Sequence, residues 1–556
     1  MPDLPAGYHL RNFECLLDVV AAEYADLLVP EESGLVALFR DLSAQARSLY
    51  VRLALRRGPL FRADRLDYAD VPDVDAALLE LTLAGFVTHA GRAGPEELLD
   101  LYTRAEIERA LRSRGDSAGS GLSKPRLLGL LVESGRTPGL LGLAAGPIVC
   151  CRHLDVLRVF RLLFFGNLRQ DLTEFVVSEL GVMRYETYRL TGRAYFRNRG
   201  VVDDLLHVHA WSRSVRAAQT RGDPVELAEL GARVASWKCE PEAERRRDQL
   251  VLGIARDLER LDAREQALRL YSMTDRSPSR ERRARVLHSL GRRTAVVDVC
   301  TSILDDPSDE AEAVFAAHFC ARVLRPEATP DLFEAALLRR ARPLARRHRR
   351  PFDCRRLELT RTGARVEEAV VSSFETQGVE AHYVENGLFP SLFGLAFWDV
   401  VFAELPGAFF NPFQRGPSDL YSADFRERRR DLIRSRLDEL AAGTAWKDRV
   451  RYHYASRTGT VSPFVTWRTL TPRLLERALE RIPGGHLRDV SERILTDPRG
   501  NRTGFPDLVV FTHDGGYRLV EVKGPGDALQ DNQKRWLLAF ADFGIPASVV
   551  DVAWRN

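Results

Sequence analysis

Two carboxylates and a lysine come together in a predicted β-hairpin near the C-terminus. Asp507 precedes an apolar run, 508–511, and the chain returns after a Gly-Gly turn along 517–523. Because side chains alternate along a strand, Glu521 and Lys523 share one face of the second strand, and Asp507 can lie beside that face. Two carboxylates that converge repel each other, and burial adds the cost of removing them from water. The pattern therefore predicts a bound cation.

A hard divalent ion suits the oxygen atoms of this hairpin. Carboxylate oxygens of Asp507 and Glu521, with the main-chain carbonyl of Val522, fit Mg²⁺ or Mn²⁺, and water molecules would complete an octahedron. Such an ion activates water, polarises a phosphodiester and neutralises charge on the leaving oxygen. Lys523 would orient the attacking water or stabilise the transition state. The predicted chemistry is metal-dependent hydrolysis of a phosphodiester.

A surface strand with a chance Glu-x-Lys is the alternative, since this tripeptide is common. Two observations favour a nuclease. Asp507 belongs to a Pro-Asp pair 14 residues ahead of Glu521, as the nuclease pattern Pro-Asp…(Asp/Glu)-x-Lys requires. Lys523 is one of only five lysines among 81 basic residues, so composition alone would have placed an arginine there. The surplus of arginine has two explanations, codon usage in a GC-rich genome and selection for guanidinium groups that bind phosphate.

The composition is that of an ordinary globular protein. A chain of 556 residues, 45% hydrophobic and 29% charged, predicts three or four folded domains. Its seven cysteines form no C-x-x-C pair, so neither a zinc site nor a disulfide framework is indicated. The most apolar stretches, 139–151 and 388–410, are respectively too short for a membrane span and interrupted by Asp399 and Glu404. With no signal peptide at the N-terminus, we expect a cytoplasmic protein that makes no membrane contact and meets the nucleoid through DNA.

The first 150 residues predict two helical modules. Residues 1–95 alternate helical periodicity with short turns and indicate a winged-helix-like domain. Residues 96–150 contain a helix, a Gly-rich loop and a second helix that starts near Ser123 and Lys124. This order is typical of a SAP-type DNA-binding hairpin with Lys124 as a DNA contact, although a plain helical hairpin gives the same pattern.

Residues 151–365 are predicted to form a helical solenoid similar to tetratricopeptide repeats, and residues 366–556 a nuclease domain of helices followed by strands. An arginine-rich run from Arg339 to Arg365 lies between them. It is either a solvated face or a ridge that contacts phosphates. On the second interpretation, the expected DNA contacts are Arg346, Arg347, Arg349 and Arg350.

The C-terminal sequence resembles the VRR-NUC (virus-type replication-repair nuclease) domain, part of the PD-(D/E)xK nuclease superfamily. The resemblance lies in GFPDL at 504–508 and LVEVKGPGDALQDNQKRWL at 519–537. Further segments, YVRLALRRGPLFR at 50–62, LGVMRYETY at 180–188 and NGLFPSLFGLAFWD at 386–399, extend the resemblance over nearly the whole chain, to the bacterial Fanconi-associated nucleases.

The resemblance implies an architecture and further site residues. The chain would be a multidomain α plus α/β protein that ends in a restriction-endonuclease-like domain. Glu385 would be a third metal ligand and catalytic acid, where the alternative is a carboxylate that stabilises a helix start. Gln533 and Arg499 would contact the substrate or its phosphate. The sequence departs from the family at Ala528, where an arginine is commoner.

The resemblance also implies 5′-flap endonuclease and 5′-to-3′ exonuclease activity, releasing 5′-nucleotides, on flaps, forks and branched or crosslinked DNA during interstrand-crosslink repair. An enzyme that measures from a 5′ end needs a cationic pocket for the terminal phosphate. Arg499 and Arg502 are the first candidates, and the ridge from Arg339 to Arg356 is the second. Two other functions stay open, a Holliday-junction resolvase and a non-catalytic scaffold for branched DNA. The complete set of Glu385, Asp507, Glu521 and Lys523 argues against the scaffold.

Overall fold

The computed structural model describes residues 7–56, 58–89, 101–112, 122–124, 126–127, 147–190, 195–324, 332–348, 352–361, 363–422 and 424–555. The chain is rich in helix, with small sheets, and divides into two compact units. Over these residues, no helix combines the length and the apolar character that a membrane span requires.

The first unit comprises residues 1–182 and 192–206. Its core contains the fully buried Val20, Leu49 and Phe86. The Ser43 side chain accepts a hydrogen bond from the amide of Ala46 and so caps a helix start. Three antiparallel strands, β1 (Leu60–Arg62), β2 (Val87–His89) and β3 (Ile148–Cys151), pair in the order β1-β3-β2. The helices are Tyr8–Glu23, Pro30–Asp41, Ala44–Leu55, Val74–Leu83, Arg104–Arg112, Leu154–Phe165, Thr173–Glu179 and the beginning of Arg199–Arg221.

The predicted SAP-like hairpin falls partly outside the described residues. Its first helix ends at Arg112, and the loop and most of the second helix belong to the segments that are not described. Lys124 is helical and half-buried, and the amide of Leu127 donates to the carbonyl of Ser123 over 3.0 Å. Ser123 thus stands at a helix start, as its sequence context predicts, while the winged-helix and SAP assignments stay predictions.

The second unit, residues 183–191 and 207–556, begins with a series of helices joined by short connections. They pack on an apolar core that includes Ile254, Leu270 and Ile303. Gly231 allows close packing there, because a Cβ at this position would clash with the Leu270 side chain. The helices are the remainder of Arg199–Arg221, then Pro224–Ser236, Pro241–Arg260, Arg264–Tyr271, Ser279–Ser289, Arg293–Asp305, Glu310–Val323 and Leu332–Arg347.

A five-stranded mixed sheet follows, in the order β4-β8-β7-β6-β5. β8 pairs in parallel with β4 and β7, whereas β6 pairs antiparallel with β7 and β5. The strands are β4 (Cys354–Thr360), β5 (Glu380–Tyr383), β6 (Leu508–Phe511), β7 (Tyr517–Lys523) and β8 (Ala547–Arg555). The hairpin predicted from the sequence is therefore β6-β7, within the expected bounds.

β4 lies inside the arginine-rich run and joins the nuclease sheet, ahead of the expected domain start at 366. It is an edge strand whose residues are mostly exposed. An exposed edge strand needs no apolar alternation, and charged side chains protect it from pairing with other chains. Arg355 and Arg356 therefore gave the segment the appearance of a basic ridge.

Both faces of the sheet are covered. Val509 and Leu519 pack into a large core shared with the helix Leu388–Ala396, and Val520 and Val522 pack with Val370 on the opposite face. A polar residue in the middle of such a sheet is buried whichever face it occupies. The helices of this region are Val366–Thr376, Leu388–Ala396, Trp398–Val401, Asp424–Arg428, Arg430–Ala442, Ala445–Arg457, Pro472–Arg481, Gly484–Thr496 and Asp531–Phe543.

The segment 183–191 packs against this nuclease region. Glu186 is buried; it accepts a hydrogen bond from Trp398 Nε1 over 2.6 Å and pairs with Arg457 over 3.1 Å. The Tyr188 hydroxyl donates to the carbonyl of Asn411. Most of the family-like motif 180–188, from residue 183 onward, thus contributes to the same unit as the motif 386–399 and the C-terminal hairpin.

Candidate active site

Main-chain hydrogen bonds fix Asp507 at the edge of two strands. The residue stands immediately before β6, where Leu508 is opposite Val520. Its Oδ2 accepts the amide hydrogen of Val522 over 2.8 Å, and its carbonyl accepts that of Val384 over 2.7 Å. The Asp507 carboxylate therefore lies beside the middle of β7, as the sequence predicts.

Glu521, Lys523 and Gln533 form a closed hydrogen-bonded group next to Asp507. Lys523 Nζ lies 2.7 Å from Glu521 Oε1 and donates to Gln533 Oε1 over 3.1 Å. Gln533 Nε2 donates to the same Glu521 oxygen over 2.5 Å. Both polar atoms of the Gln533 amide are engaged, so in this arrangement Gln533 supports the acid and the lysine. The family resemblance had implied a substrate contact, which stays a prediction.

Burial disfavours the ionised form of both acids. It raises the pKa of Asp507 to about 6, and burial together with the neighbouring Asp507 carboxylate raises the pKa of Glu521 to about 8. Glu521 is fully buried, and its Oε2 has no hydrogen-bond partner among the residues that the structure describes. An unpartnered buried carboxylate oxygen beside a second acid fits a divalent cation, which would supply both the missing partner and the compensating charge.

Glu385 lies at the rim of this pair. It is exposed, its Oε2 accepts a hydrogen bond from the Tyr383 hydroxyl, and its charge contributes to the raised pKa of Asp507. Over the described part of the chain, no three His, Cys, Asp or Glu side chains converge closely enough to form a metal site by themselves. The structure thus brings Asp507, Glu521 and Lys523 together, and the role of Glu385 as third ligand stays a prediction.

Arg499 lines a cleft of about 1230 Å³ between the series of helices and the nuclease region of the second unit. Its guanidinium lies 4.9 Å from the centre of the Tyr421 ring, and Arg502 donates to the Tyr421 hydroxyl over 3.1 Å. Arg245 and Arg276 reach the same cleft from the helical series. Burial lowers the pKa of Arg245, and the charges of Arg499 and Arg276 lower it further.

Arg245, Arg276 and Tyr421 were not predicted from the sequence. Arg245 stands in the run Glu-Arg-Arg-Arg-Asp, 244–248, which is indistinguishable from many others in a chain so rich in arginine. Its one distinguishing property is the proximity of other guanidinium groups, and those come from distant parts of the sequence.

The other predicted DNA contacts are dispersed. Arg347 pairs with Asp542, and Arg346 is exposed at the end of the helix Leu332–Arg347. Arg349 and Arg350 lie outside the described residues. Lys124 belongs to the first unit. These contacts stay predictions.

The acid pair, the adjacent lysine and the strands that carry them define a divalent-metal-dependent nuclease of the PD-(D/E)xK type. Comparison with known families supports this class. Residues 444–554 match the VRR-NUC domain, and residues 7–88 match the FAN1 HTH domain. Glu385 lies outside both matches.

The chain belongs to the Fanconi-associated nuclease family. It is 36% identical to the Fanconi-associated nuclease 1 homolog of Pseudomonas aeruginosa, over 100% of this chain and 97% of that protein. Identity to human Fanconi-associated nuclease 1 is 24%, over 98% of this chain and 62% of the human protein. A crystal structure of paFAN1 bound to 2nt 5′ flap DNA with gap superposes with a TM-score of 0.89 and 34% identity, over 100% of both chains.

Proposed function

We propose that this nuclease cuts 5′ flaps and digests DNA from the 5′ end, using Mg²⁺ or Mn²⁺, in the repair of branched or crosslinked DNA. The observation that carries the proposal is the buried acid pair, in which Glu521 Oε2 has no hydrogen-bond partner within the described part of the chain. The likeness to paFAN1, solved with 1nt and 2nt 5′ flap DNA, supports the choice of substrate. Such a substrate would place the enzyme on chromosomal DNA in the cytoplasm.

Asp507, Glu521 and the carbonyl of Val522 would hold the ion, which when bound polarises the phosphodiester and lowers the pKa of a coordinated water. Lys523 has three N–H donors. One faces Glu521 Oε1 and one faces Gln533 Oε1, which leaves the third for the attacking water or a phosphate oxygen. Gln533 holds this lysine and Glu521 in a fixed relative position.

The arginine cleft would bind the 5′-terminal phosphate. Arg245, Arg276 and Arg499 bring positive charge together at a cost, as the lowered pKa of Arg245 indicates. A phosphate dianion would remove that repulsion and accept several charge-assisted hydrogen bonds. Arg276 also contacts Asp248 over 3.4 Å, so Arg245 and Arg499 would be the principal ligands.

The remaining regions would grip duplex DNA. We assign residues 1–95 to a winged-helix-like domain, 96–150 to a SAP-like domain, 151–365 to a tetratricopeptide-like solenoid and 366–556 to the nuclease domain, with β4 added to the last. The match of residues 7–88 to the FAN1 HTH domain supports a DNA-binding role for the first of these.

The test is cleavage of end-labelled DNA in Mg²⁺ or Mn²⁺, with 5′ flaps, forks, four-way junctions and plain duplexes compared in parallel. We expect flaps to be cut fastest and Asp507→Ala to abolish all cutting. Paired symmetrical cuts in the four-way junction, with flaps left intact, would instead identify a junction resolvase. Binding of branched DNA without any metal-dependent cutting would identify a scaffold.

A further inference from the structure

Asn386 has a backbone conformation that few side chains tolerate. Its φ is +50°, in the left-handed region, where it is one of three non-glycine residues in the described ranges. Asparagine tolerates this region better than most residues do, because its short side chain can bond to nearby main chain.

The Asn386 carboxamide connects two segments that both carry acids of the site. Its Oδ1 accepts the amide hydrogens of Gly504, over 2.7 Å, and Phe505, over 3.1 Å. Both residues are buried and directly precede the Pro-Asp pair of Asp507. On the other side, Asn386 Nδ2 lies 3.4 Å from Glu385 Oε1.

The connection continues to the helix that carries Gln533. Gly504 has a φ of +97°, and a Cβ at this position would lie 2.8 Å from the carbonyl carbon of Asn532. The loop is therefore packed between Asn386 on one side and the start of the helix Asp531–Phe543 on the other. Asn386 thus joins the strand end of Glu385 to the loop of Asp507 and, through it, to the helix of Gln533.

Tyr383 restrains the other oxygen of the same carboxylate. Its hydroxyl donates to Glu385 Oε2, while Asn386 faces Oε1. Tyr383 is the last residue of β5 and pairs with Leu508, the residue after Asp507. Both oxygens of Glu385 are thus held by groups fixed to the Asp507 segment.

We propose that Asn386 and Tyr383 are positioning residues that set the location and rotation of Glu385 relative to the Asp507–Glu521 pair, and so determine how tightly the divalent ion is bound. The proposal rests on the proposed function, since it takes Glu385 as the third ligand. Groups that orient a metal ligand commonly change metal affinity by about 10- to 100-fold when they are removed.

Mn²⁺ binding, measured by titration calorimetry without DNA, tests the proposal. Asn386→Gly removes the carboxamide and keeps a residue that accepts positive φ. We expect a loss of roughly tenfold in Mn²⁺ affinity. Tyr383→Phe should cause a severalfold loss; because its ring is 44% exposed, this variant serves if Asn386→Gly does not fold. Asn167→Gly is the matched control, since Asn167 Oδ1 also accepts two backbone amides but lies in the first unit.

A double-mutant cycle separates positioning from general stability. If Asn386 and Tyr383 act through Glu385, their effects on Mn²⁺ affinity disappear in a Glu385→Gln background. Equal losses in both backgrounds, or unchanged affinity in the single variants, would overturn the proposal. Retention of Mn²⁺ affinity in Asp507→Ala would instead overturn the metal site itself, so the two failures are distinguishable.

Discussion

The acid pair and the arginine cleft each hold like charges close together, negative charges in the first and positive charges in the second. In the first, burial raises the pKa values of Asp507 and Glu521, and the neighbouring Asp507 carboxylate raises that of Glu521 further. In the second, burial and neighbouring guanidinium groups lower the pKa of Arg245. Each group of charges is unfavourable alone and becomes favourable once an ion of opposite charge binds. We infer that the acid pair carries out the chemistry and that the arginine cleft recognises the DNA end.

Removal of an acid should have the largest effect. Asp507→Ala or Glu521→Ala should reduce cleavage by well over about 100-fold, beyond the loss expected for a group that only orients a ligand. DNA binding should persist, because the arginines are untouched. EDTA should reproduce the result, and Ca²⁺ should permit binding without turnover, since its larger radius favours looser coordination. A variant that cuts at the wild-type rate would show that these acids hold no catalytic ion.

Lys523→Arg should have the second-largest effect. We expect kcat to fall by roughly 100-fold, as it does when one group that stabilises the transition state is removed. The charge is retained, but a planar guanidinium cannot replace a compact ammonium between Glu521 and Gln533. Single-turnover cleavage measures the effect. Lys534→Arg is the control, since the Lys534 ammonium contacts Asp531 and no catalytic residue among the described hydrogen bonds. If Lys523→Arg were as active as the wild type, Lys523 would have no specific role in catalysis.

Arg499→Ala should impair recognition of the DNA end by the arginine cleft and leave the chemistry at the acid pair intact. Loss of a charge-assisted hydrogen bond costs about 1.5–3 kcal/mol, so cutting of 5′-phosphorylated flaps should fall by roughly 10- to 100-fold. Cutting of unphosphorylated flaps should hardly change. Arg245→Ala should behave alike, and Arg260→Ala, which removes an exposed arginine paired with Asp257 outside the arginine-rich run, is the control. Equal losses on both flap types would place end recognition elsewhere in the chain.

Arg346→Ala tests whether the arginine-rich run contacts DNA. We expect a smaller loss of affinity than for the variants above. If Arg346 contacts a phosphate, affinity should fall for every DNA shape alike. The slope of log affinity against log salt should decrease by about one. Binding measured over a range of salt concentrations gives both quantities. An unchanged slope would make Arg346 part of a solvated face.

The smallest expected effect is on the free energy of unfolding of the metal-free protein. Because the pKa of Glu521 is raised from 4.5 to about 8, the folded protein retains a proton that the unfolded chain releases. The free energy of unfolding should therefore fall as pH rises from about 4.5 to about 8. Glu521→Gln should weaken this decline and raise Tm in EDTA at pH 8 by a few degrees, at roughly 2–4 °C per kcal/mol. Calorimetry at pH 5 and pH 8 measures the difference, with the exposed Glu375→Gln as control; identical pH profiles would contradict it.

The β6-β7 hairpin was predictable because its information is local. The two-residue period assigns Glu521 and Lys523 to one face and Val520 to the other, and the turn fixes which residues are opposite each other. β4 was not predictable, because an edge strand has no apolar pattern to reveal it. Glu385 was found only through resemblance to a family, since nothing in its own neighbourhood distinguishes a metal ligand from an acid at a helix start.

The sequence by itself determined the reactive groups, because strand alternation and the Pro-Asp spacing bring Asp507, Glu521 and Lys523 together within one hairpin. Only the tertiary structure decided how these groups are held and what lies around them. Gln533 is placed by a helix, Asn386 by a loop contact across more than a hundred residues, and Arg245 by a helix that meets Arg499 in the cleft. Such contacts depend on how distant segments pack, and no periodicity within a short segment encodes that packing.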